Sequence, residues 1–255
     1  MMHNGYVVGS IDLAALAVYA FTLFFVCLLF WLRREDRREG YPLEDELTGR
    51  PESVGGPLYA AETKYYVLPF DKGVVSLPND KREPVDIAAE RRENFGGAPY
   101  SPVGNPLFAG VGPGAFAQRA KWPDYDAHGA PRIVPIGSAD GITVAPKSVD
   151  PRGLPMYGAD NEQAGVITDL WVDRAEHLLR YLEVETPSGR ILAPMAMAMV
   201  SRDKVRIDAI NAKDFGGAPR PASPGVITRD EEERIVAYFG TGYLYANDKR
   251  QEPWL

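Results

Sequence analysis

The stretch LAALAVYAFTLFFVCLLFWL, residues 13 to 32, decides the fold: twenty consecutive positions carry no charge, proline or glycine. At about 1.5 Å of rise per residue, a helix of this length runs roughly 30 Å, the thickness of the hydrocarbon layer of a bilayer. Apolar side chains fall all the way round it, so it lacks the stripe of a soluble amphipathic helix. Tyr19 and Trp31 stand towards its ends, where amphipathic rings favour headgroups. The run stops at Arg33-Arg34-Glu35-Asp36-Arg37-Arg38-Glu39, which is too charged for lipid. A single transmembrane helix over 13–32 is expected. A cleaved signal sequence would instead start basic, have a shorter apolar core and end in small residues. Here Asp12 is the only formal charge before the run, which closes on Trp-Leu-Arg-Arg. No basic residue precedes the span and four arginines follow at once, so the positive-inside rule puts residues 1–12 outside and the rest in the cytoplasm.

Composition bounds what lies beyond the anchor. The remaining part of the 255-residue chain suffices for one hydrophobic core with a looser second region. With 25 glycines and 22 prolines it leans to β structure and long connections laid along another surface. A net charge of −7 disfavours nucleic acid as a partner, because phosphate binding needs a basic face. Cys27, the single cysteine, lies inside the anchor, so no intrachain disulfide or cysteine zinc site can form. Three histidines leave little material for a metal centre, and none is expected.

After the anchor, Arg33 to Leu43 mixes both signs and ends at Gly40 and Pro42, which stop a helix. One reading is a solvated continuation of the helix. The other is a cuff in which Arg33, Arg34, Arg37 and Arg38, with Tyr41, meet lipid phosphates or carboxylates of neighbouring membrane subunits. Residues 33–125 read as a membrane-surface and extended segment. Lys64–Leu68 and Gly73–Leu77 form its one expected hairpin, with Pro-Phe-Asp-Lys as the turn. The phrase Asn-Phe-Gly-Gly-Ala-Pro occurs at 94–99, and Asp-Phe-Gly-Gly-Ala-Pro at 214–219, a repeated turn. Gly110-Val-Gly-Pro-Gly114 lacks the lysine and helix of a phosphate loop.

From Arg132 the pattern tightens. Strands are expected at 134–136, 142–145, 165–172, 181–185, 190–193 and 204–207, a spacing that suggests a small curled sheet or barrel. Thr228 and Glu231 make a capping-box pair opening a helix to about Tyr238, ended by Gly240. No nucleophile-base set, P-loop or His-Glu-x-x-His is legible. Titratable residues do gather: Asp126 with His128, and Asp173, Glu176, His177 and Arg180 in the turn between two strands. Neighbouring acids titrate together with some pKa values moved towards neutral, as a proton relay requires. The plainer reading is a polar turn with a Glu176–Arg180 salt bridge at i,i+4.

Several phrases, in order along nearly the whole chain, resemble the H subunit of the purple-bacterial photosynthetic reaction centre. They are residues 32–43 (LRREDRREGYPL), Gly104-Asn-Pro-Leu107 with Gly112-Pro113, Asp150-Pro-Arg-Gly-Leu-Pro155, Thr168–Arg174 with Arg180–Glu185, and the glutamate run before Tyr243-Leu-Tyr-Ala246. The resemblance implies a single transmembrane α-helix, an extended loop-rich segment, and a mainly-β, PRC-barrel-like cytoplasmic domain over 126–255 with a short C-terminal helix. It implies a non-pigment-binding accessory subunit, not an enzyme, in a bacterial inner membrane with a periplasmic N-terminus. Such a subunit caps the L and M subunits, shields their quinone sites and helps deliver protons to the secondary quinone. The resemblance also implies that the chain itself binds no cofactor. Its partners hold bacteriochlorophyll, bacteriopheophytin, quinones, non-haem iron and carotenoid, and a tetrahaem cytochrome subunit and light-harvesting antenna join the assembly. Asp173 and Glu176 match the interior proton route, Arg180 its basic neighbour, and Asp126 with His128 part of the surface uptake site. Ala130 stands where some members carry a second histidine. A membrane-tethered PRC-barrel adaptor for other cytoplasmic proteins is the alternative.

Overall fold

The computed structural model describes residues 12–41, 43–51, 61–79, 88–247 and Arg250; most of the expected outer tail and Pro42 lie outside them. The described residues fall into two compact units, one within 1–82 together with Asn94–Gly97, the other within 83–93 and from Ala98 onward.

In the first unit, α1 spans Leu13–Glu35 and buries none of its residues. It starts where Asp12 accepts hydrogen bonds from the N–H groups of Ala14 and Ala15, satisfying two of the four donors a helix start leaves open. It is long and apolar enough to cross a membrane, and the first charge after the apolar run, Arg33, follows Leu32 directly. A 3-10 turn over Asp36–Arg38 follows, and the left-handed Gly40 breaks the run. The expected hairpin is present: β1 (Lys64–Val67) pairs antiparallel with β2 (Val74–Leu77), Lys64 opposite Leu77 and Val67 opposite Val74. Its turn holds Phe70 and Asp71 in the left-handed region.

The second unit is built on a curled sheet. A short pair, β3 (Ala89–Arg91) and β4 (Tyr100–Pro102), precedes it. The sheet holds β5 (Ile133–Pro135), β6 (Pro155–Tyr157), β7 (Gln163–Asp173), β8 (Leu178–Thr186), β9 (Gly189–Pro194), β10 (Ala198–Val200) and β11 (Val205–Ile207). Its order is β10-β11-β6-β7-β8-β9, with β5 added on β7 and only β11 and β6 parallel. Its outermost strands, β9 and β10, are joined by the three-residue turn Met195–Met197. Four Cα steps reach at most about 15 Å, so the two edges are drawn together and the sheet curls into a barrel. Register shifts at Ile167/Asp169 and Trp171/Val172 on β7 add the local twist that curling needs. Inside lie Leu170, Leu182, Val184, Ile191, Val205 and Ile207, none more than 1% exposed.

Helix α2 (Arg229–Tyr245) closes the second unit, and its capping box is as expected: Thr228 accepts from the Glu231 N–H, and Glu231 accepts from the Thr228 N–H. It runs past the expected stop at Gly240 to Tyr245. The glycines there serve close approach rather than termination. A Cβ on Gly240 would come 3.0 Å from the Pro113 carbonyl oxygen, and one on Gly242 would come 2.5 Å from the Ala209 carbonyl oxygen. The 3-10 turns over Pro106–Phe108 and Gly112–Gly114 pack on α2. Phe108 meets Tyr238 with ring centroids 5.1 Å apart, and Arg234 stacks over Phe116.

Two other expectations are corrected. Ile142–Ala145 is no strand: Ile142 and Val144 pack on the core from a loop that follows the left-handed Gly141, so their alternation reflects burial without pairing. β6 and β10, which begin at Pro155 and inside an alanine-methionine run, were not expected, because neither segment carries β-branched residues at strand spacing. The repeated phrase is a turn only in its first copy; the second falls largely within the 3-10 helix over Ala212–Gly217. Phe95 is exposed in the first copy, while Phe215 is fully buried in the second, edge-on to Phe239.

Gly242→Ala is expected to destabilise the full chain by about 2–3 kcal/mol, since backbone cannot yield to the new methyl. Gly137→Ala, where a Cβ meets nothing within 4 Å, should stay within about 0.5 kcal/mol. Urea unfolding in detergent micelles compares the two.

Candidate functional site: an arginine among carboxylates

Pairing of β5 with β7 puts Ile133 opposite Asp173, so Arg132 stands beside the turn that joins β7 to β8. That register builds the site. The Arg132 guanidinium reaches three carboxylates. Nη2 lies 2.6 Å from Asp173 Oδ2 and 2.9 Å from Glu176 Oε1, and Nη1 lies 3.2 Å from Asp124 Oδ2. Asp173 is only 2% exposed, and its Oδ1 also accepts from the N–H groups of Ala175 and Glu176. Burial pushes the Asp173 carboxyl up. The Glu176 N–H, the Arg132 guanidinium and the Ala175 N–H outweigh it and hold the group below the ordinary aspartate value. Asp173 is therefore an anion at neutral pH, braced by two backbone donors and a cation.

The expected Glu176–Arg180 pair is not formed. An i,i+4 contact needs a helix, whereas here a turn with the left-handed His177 leads straight into β8. Glu176 goes to Arg132, and Arg180 goes to Glu232 on the first turn of α2, 3.4 Å away. The Tyr181 hydroxyl donates to the same Glu232 Oε2 at 3.0 Å. Burial raises the Glu232 carboxyl and nearby Asp124 and Asp173 add to the rise, against the Tyr181 hydrogen bond and the Arg180 charge. Burial raises the Tyr181 phenol as well, so it stays a donor. These side chains line an open cleft of about 300 Å³ with Arg119 and Arg229 at its rim. The raised carboxyl, Glu232, faces this cleft, while the lowered Asp173 lies buried outside its lining. Neighbouring acids shifted in opposite directions are suited to passing protons.

Asp126 and His128 sit on the neighbouring loop and not in the cleft. Asp126 Oδ1 accepts from the N–H groups of His128 and Ala130, each at 2.9 Å, and Oδ2 lies 3.3 Å from Arg174. The Ala130 N–H lowers the Asp126 carboxyl despite its partial burial, with the His128 N–H and Arg174 adding to the effect. The expectation that these acids move towards neutral is thus corrected: Asp126 and Asp173 move down, because donors surround them. Glu232 moves up, and it was missed. So were Arg132, Asp124 and Tyr181. In sequence Glu232 is one of three acids in a helix's first turn, which the helix dipole alone explains. Among the described residues no group of three or more His, Cys, Asp or Glu side chains is placed to hold a metal.

At the end of α1 the expected cuff divides. Arg38 is buried: it pairs with Glu35 at 2.9 Å and donates to the carbonyl oxygens of Glu62 and Leu77. The 3-10 turn swings it back on its own helix, so it does not face outward. Arg33 is exposed, Arg34 lies 3.7 Å from Glu62, and Arg37 stacks over the Tyr41 ring.

Asp173→Asn should cost about 2 kcal/mol at pH 7, because charged hydrogen bonds to Arg132 and two N–H groups are lost. A depressed native pKa stabilises above the unfolded value near pH ~3.9, and the contribution disappears as pH falls through the native value, so variant and parent should converge in acid. Glu232→Gln should behave oppositely. A raised native pKa makes the ionised parent costly, so the variant's relative stability should improve as pH rises from about 4 to about 7. Unfolding curves across pH read both.

Comparison with known families agrees with this architecture. Residues 5–138, just over half of the chain, match the family model described as photosynthetic reaction centre, H-chain N-terminal region. Residues 147–214, which cover β6 through β11, match the PRC-barrel domain. An apolar N-terminal helix, a curled β domain of this type and a closing C-terminal helix, carried on a chain with that match, place the protein in the family of photosynthetic reaction-centre H-chains.

Proposed function

We propose that this chain is the accessory subunit that caps the L and M subunits of a light-driven electron-transfer complex on the cytoplasmic side of a bacterial inner membrane. In this reading α1 crosses the bilayer with its N-terminus in the periplasm. Arg33, Arg34 and Arg37 with Tyr41 meet headgroup phosphates or neighbouring carboxylates. The second unit covers the quinone sites and passes protons towards the secondary quinone. A cytochrome subunit and antenna complete the assembly. The pigments, quinones and iron belong to those partners, where bound quinone accepts both electrons and protons.

The observation that carries the reading is Glu232, a partly buried carboxyl held by Tyr181 and Arg180 at an open cleft, with the oppositely shifted Asp173 buried nearby. Glu232, raised by burial, gives up its proton at higher pH than an ordinary glutamate and can exchange it with water in the cleft. Tyr181 and Arg180 fix its position. Asp173 stays ionised and supplies negative potential that favours an arriving proton, while exposed Glu176 shares the Arg132 clamp and faces water. Arg132 keeps the excess negative charge from repelling the loop and hairpin apart.

In the assembled complex, Glu176→Gln should slow the proton-coupled second electron transfer to the secondary quinone by roughly tenfold or more, as loss of a positioned proton carrier does. Flash kinetics unchanged from about pH 6 to about pH 9 would remove Glu176 from the route. Purification of the full chain from its membrane with a near-infrared-absorbing complex separates this role from that of a membrane-tethered adaptor, which would bring a colourless partner.

A further inference from the structure

The first unit carries a second apolar surface beside α1. Within the hairpin, cross-strand register places Tyr65, Val67, Val74 and Ser76 on one face, and Lys64, Tyr66, Val75 and Leu77 on the other. The second face carries the clamp. Lys64 Nζ lies 2.8 Å from Glu35, and the Arg38 guanidinium holds Glu35 and the Leu77 carbonyl oxygen at once. The first face is bare: Tyr65 is 75% exposed, Val67 82% and Val74 60%. Solvent-facing valines stacked across a hairpin beside an aromatic ring are costly to leave in water.

The clamp fixes the depth of the hairpin's open end, Lys64 and Leu77, from which the strands carry the bare face outward through Tyr65 to Val67 and Val74. Glu35 lies three residues beyond Leu32, about 4.5 Å along the helix axis. Headgroup layers are about 5–7 Å thick on each side of the hydrocarbon. The open end of the hairpin is therefore held at headgroup level, next to Arg33, Arg34 and Arg37. Tyrosine and small apolar side chains suit that zone, and the three arginines complement anionic phosphates there.

We propose that the Tyr65–Val67–Val74 face lies on the phospholipid surface of the leaflet that α1 leaves, a peripheral contact that fixes the helix against rotation and tilt. The proposal rests on the reading of α1 as a membrane span. It makes the Arg38–Glu35–Lys64 clamp the device that transfers the helix's position to the hairpin.

The test uses the full chain in nanodiscs of mixed phosphatidylglycerol and phosphatidylcholine. An environment-sensitive fluorophore is attached at Val67→Cys, or at Val74→Cys, in a Cys27→Ser background, with Asp203→Cys in an exposed turn as the water reference. Emission at 67 and 74 is expected to shift to the blue, with quenching by headgroup-labelled nitroxide lipid roughly threefold stronger than at 203. Water-like emission at both hairpin positions would overturn the proposal. So would shielding that arises only when the complex's pigment-carrying subunits are present, because the face would then belong to a protein partner. A separate sample with native Cys27 tells the two failures apart. If Cys27 reacts with a membrane-impermeant maleimide, the span reading itself fails. If Cys27 is protected while position 67 stays in water, only the hairpin contact fails.

Discussion

Arg132 is the tie on which the candidate site depends. A guanidinium offers five donors in a rigid fork, and here the fork spans the 124–132 loop, the end of β7 and the following turn. Without a cation at that point, Asp124, Asp173 and Glu176 would confront one another across a few ångströms, and the loop would swing away from the sheet. With it, Asp173 becomes nearly inaccessible yet fully satisfied. A buried acid that is charged and hydrogen-bonded resists titration, while its neighbour Glu232, with weaker compensation, is free to titrate. The proton-passing role proposed for this site rests on unequal satisfaction of similar groups.

The same logic operates at the membrane side. Charged residues cannot be stranded near hydrocarbon, so the chain resolves its polar boundary locally: Arg38 turns inward onto Glu35 and two carbonyl oxygens, leaving its neighbours to face outward. One arginine of four thereby becomes architecture. The division was not visible in a run of alternating charges, because the 3-10 turn that creates it has no strong residue signature.

The parts legible in the sequence were those where a single force dominates. Twenty apolar residues, the long β7–β8–β9 meander and the Thr228–Glu231 cap each announce themselves by period or spacing. Short strands beginning at Pro155 or running through Ala198-Met-Val200 did not, since a three-residue strand is chosen by its neighbours. Gly240 read as a stop because its true reason, contact with Pro113 from far along the chain, is nonlocal. The acidic group was found, but its partners were misassigned. Arg132 and Glu232 lie about forty and sixty residues from Asp173 in opposite directions, and only the sheet register and the docking of α2 bring them to it.

The turn over Met195–Met197 has a consequence for how this domain meets other proteins. Among the described residues each terminal strand keeps one edge without a strand partner, but the link holds those edges near each other, and β10 is only three residues long. A foreign strand adding to the sheet therefore finds a short ladder on the β10 side and has the six-residue β9 as its longer margin. Lengthening the three-residue link would let the two margins part and make both more adhesive.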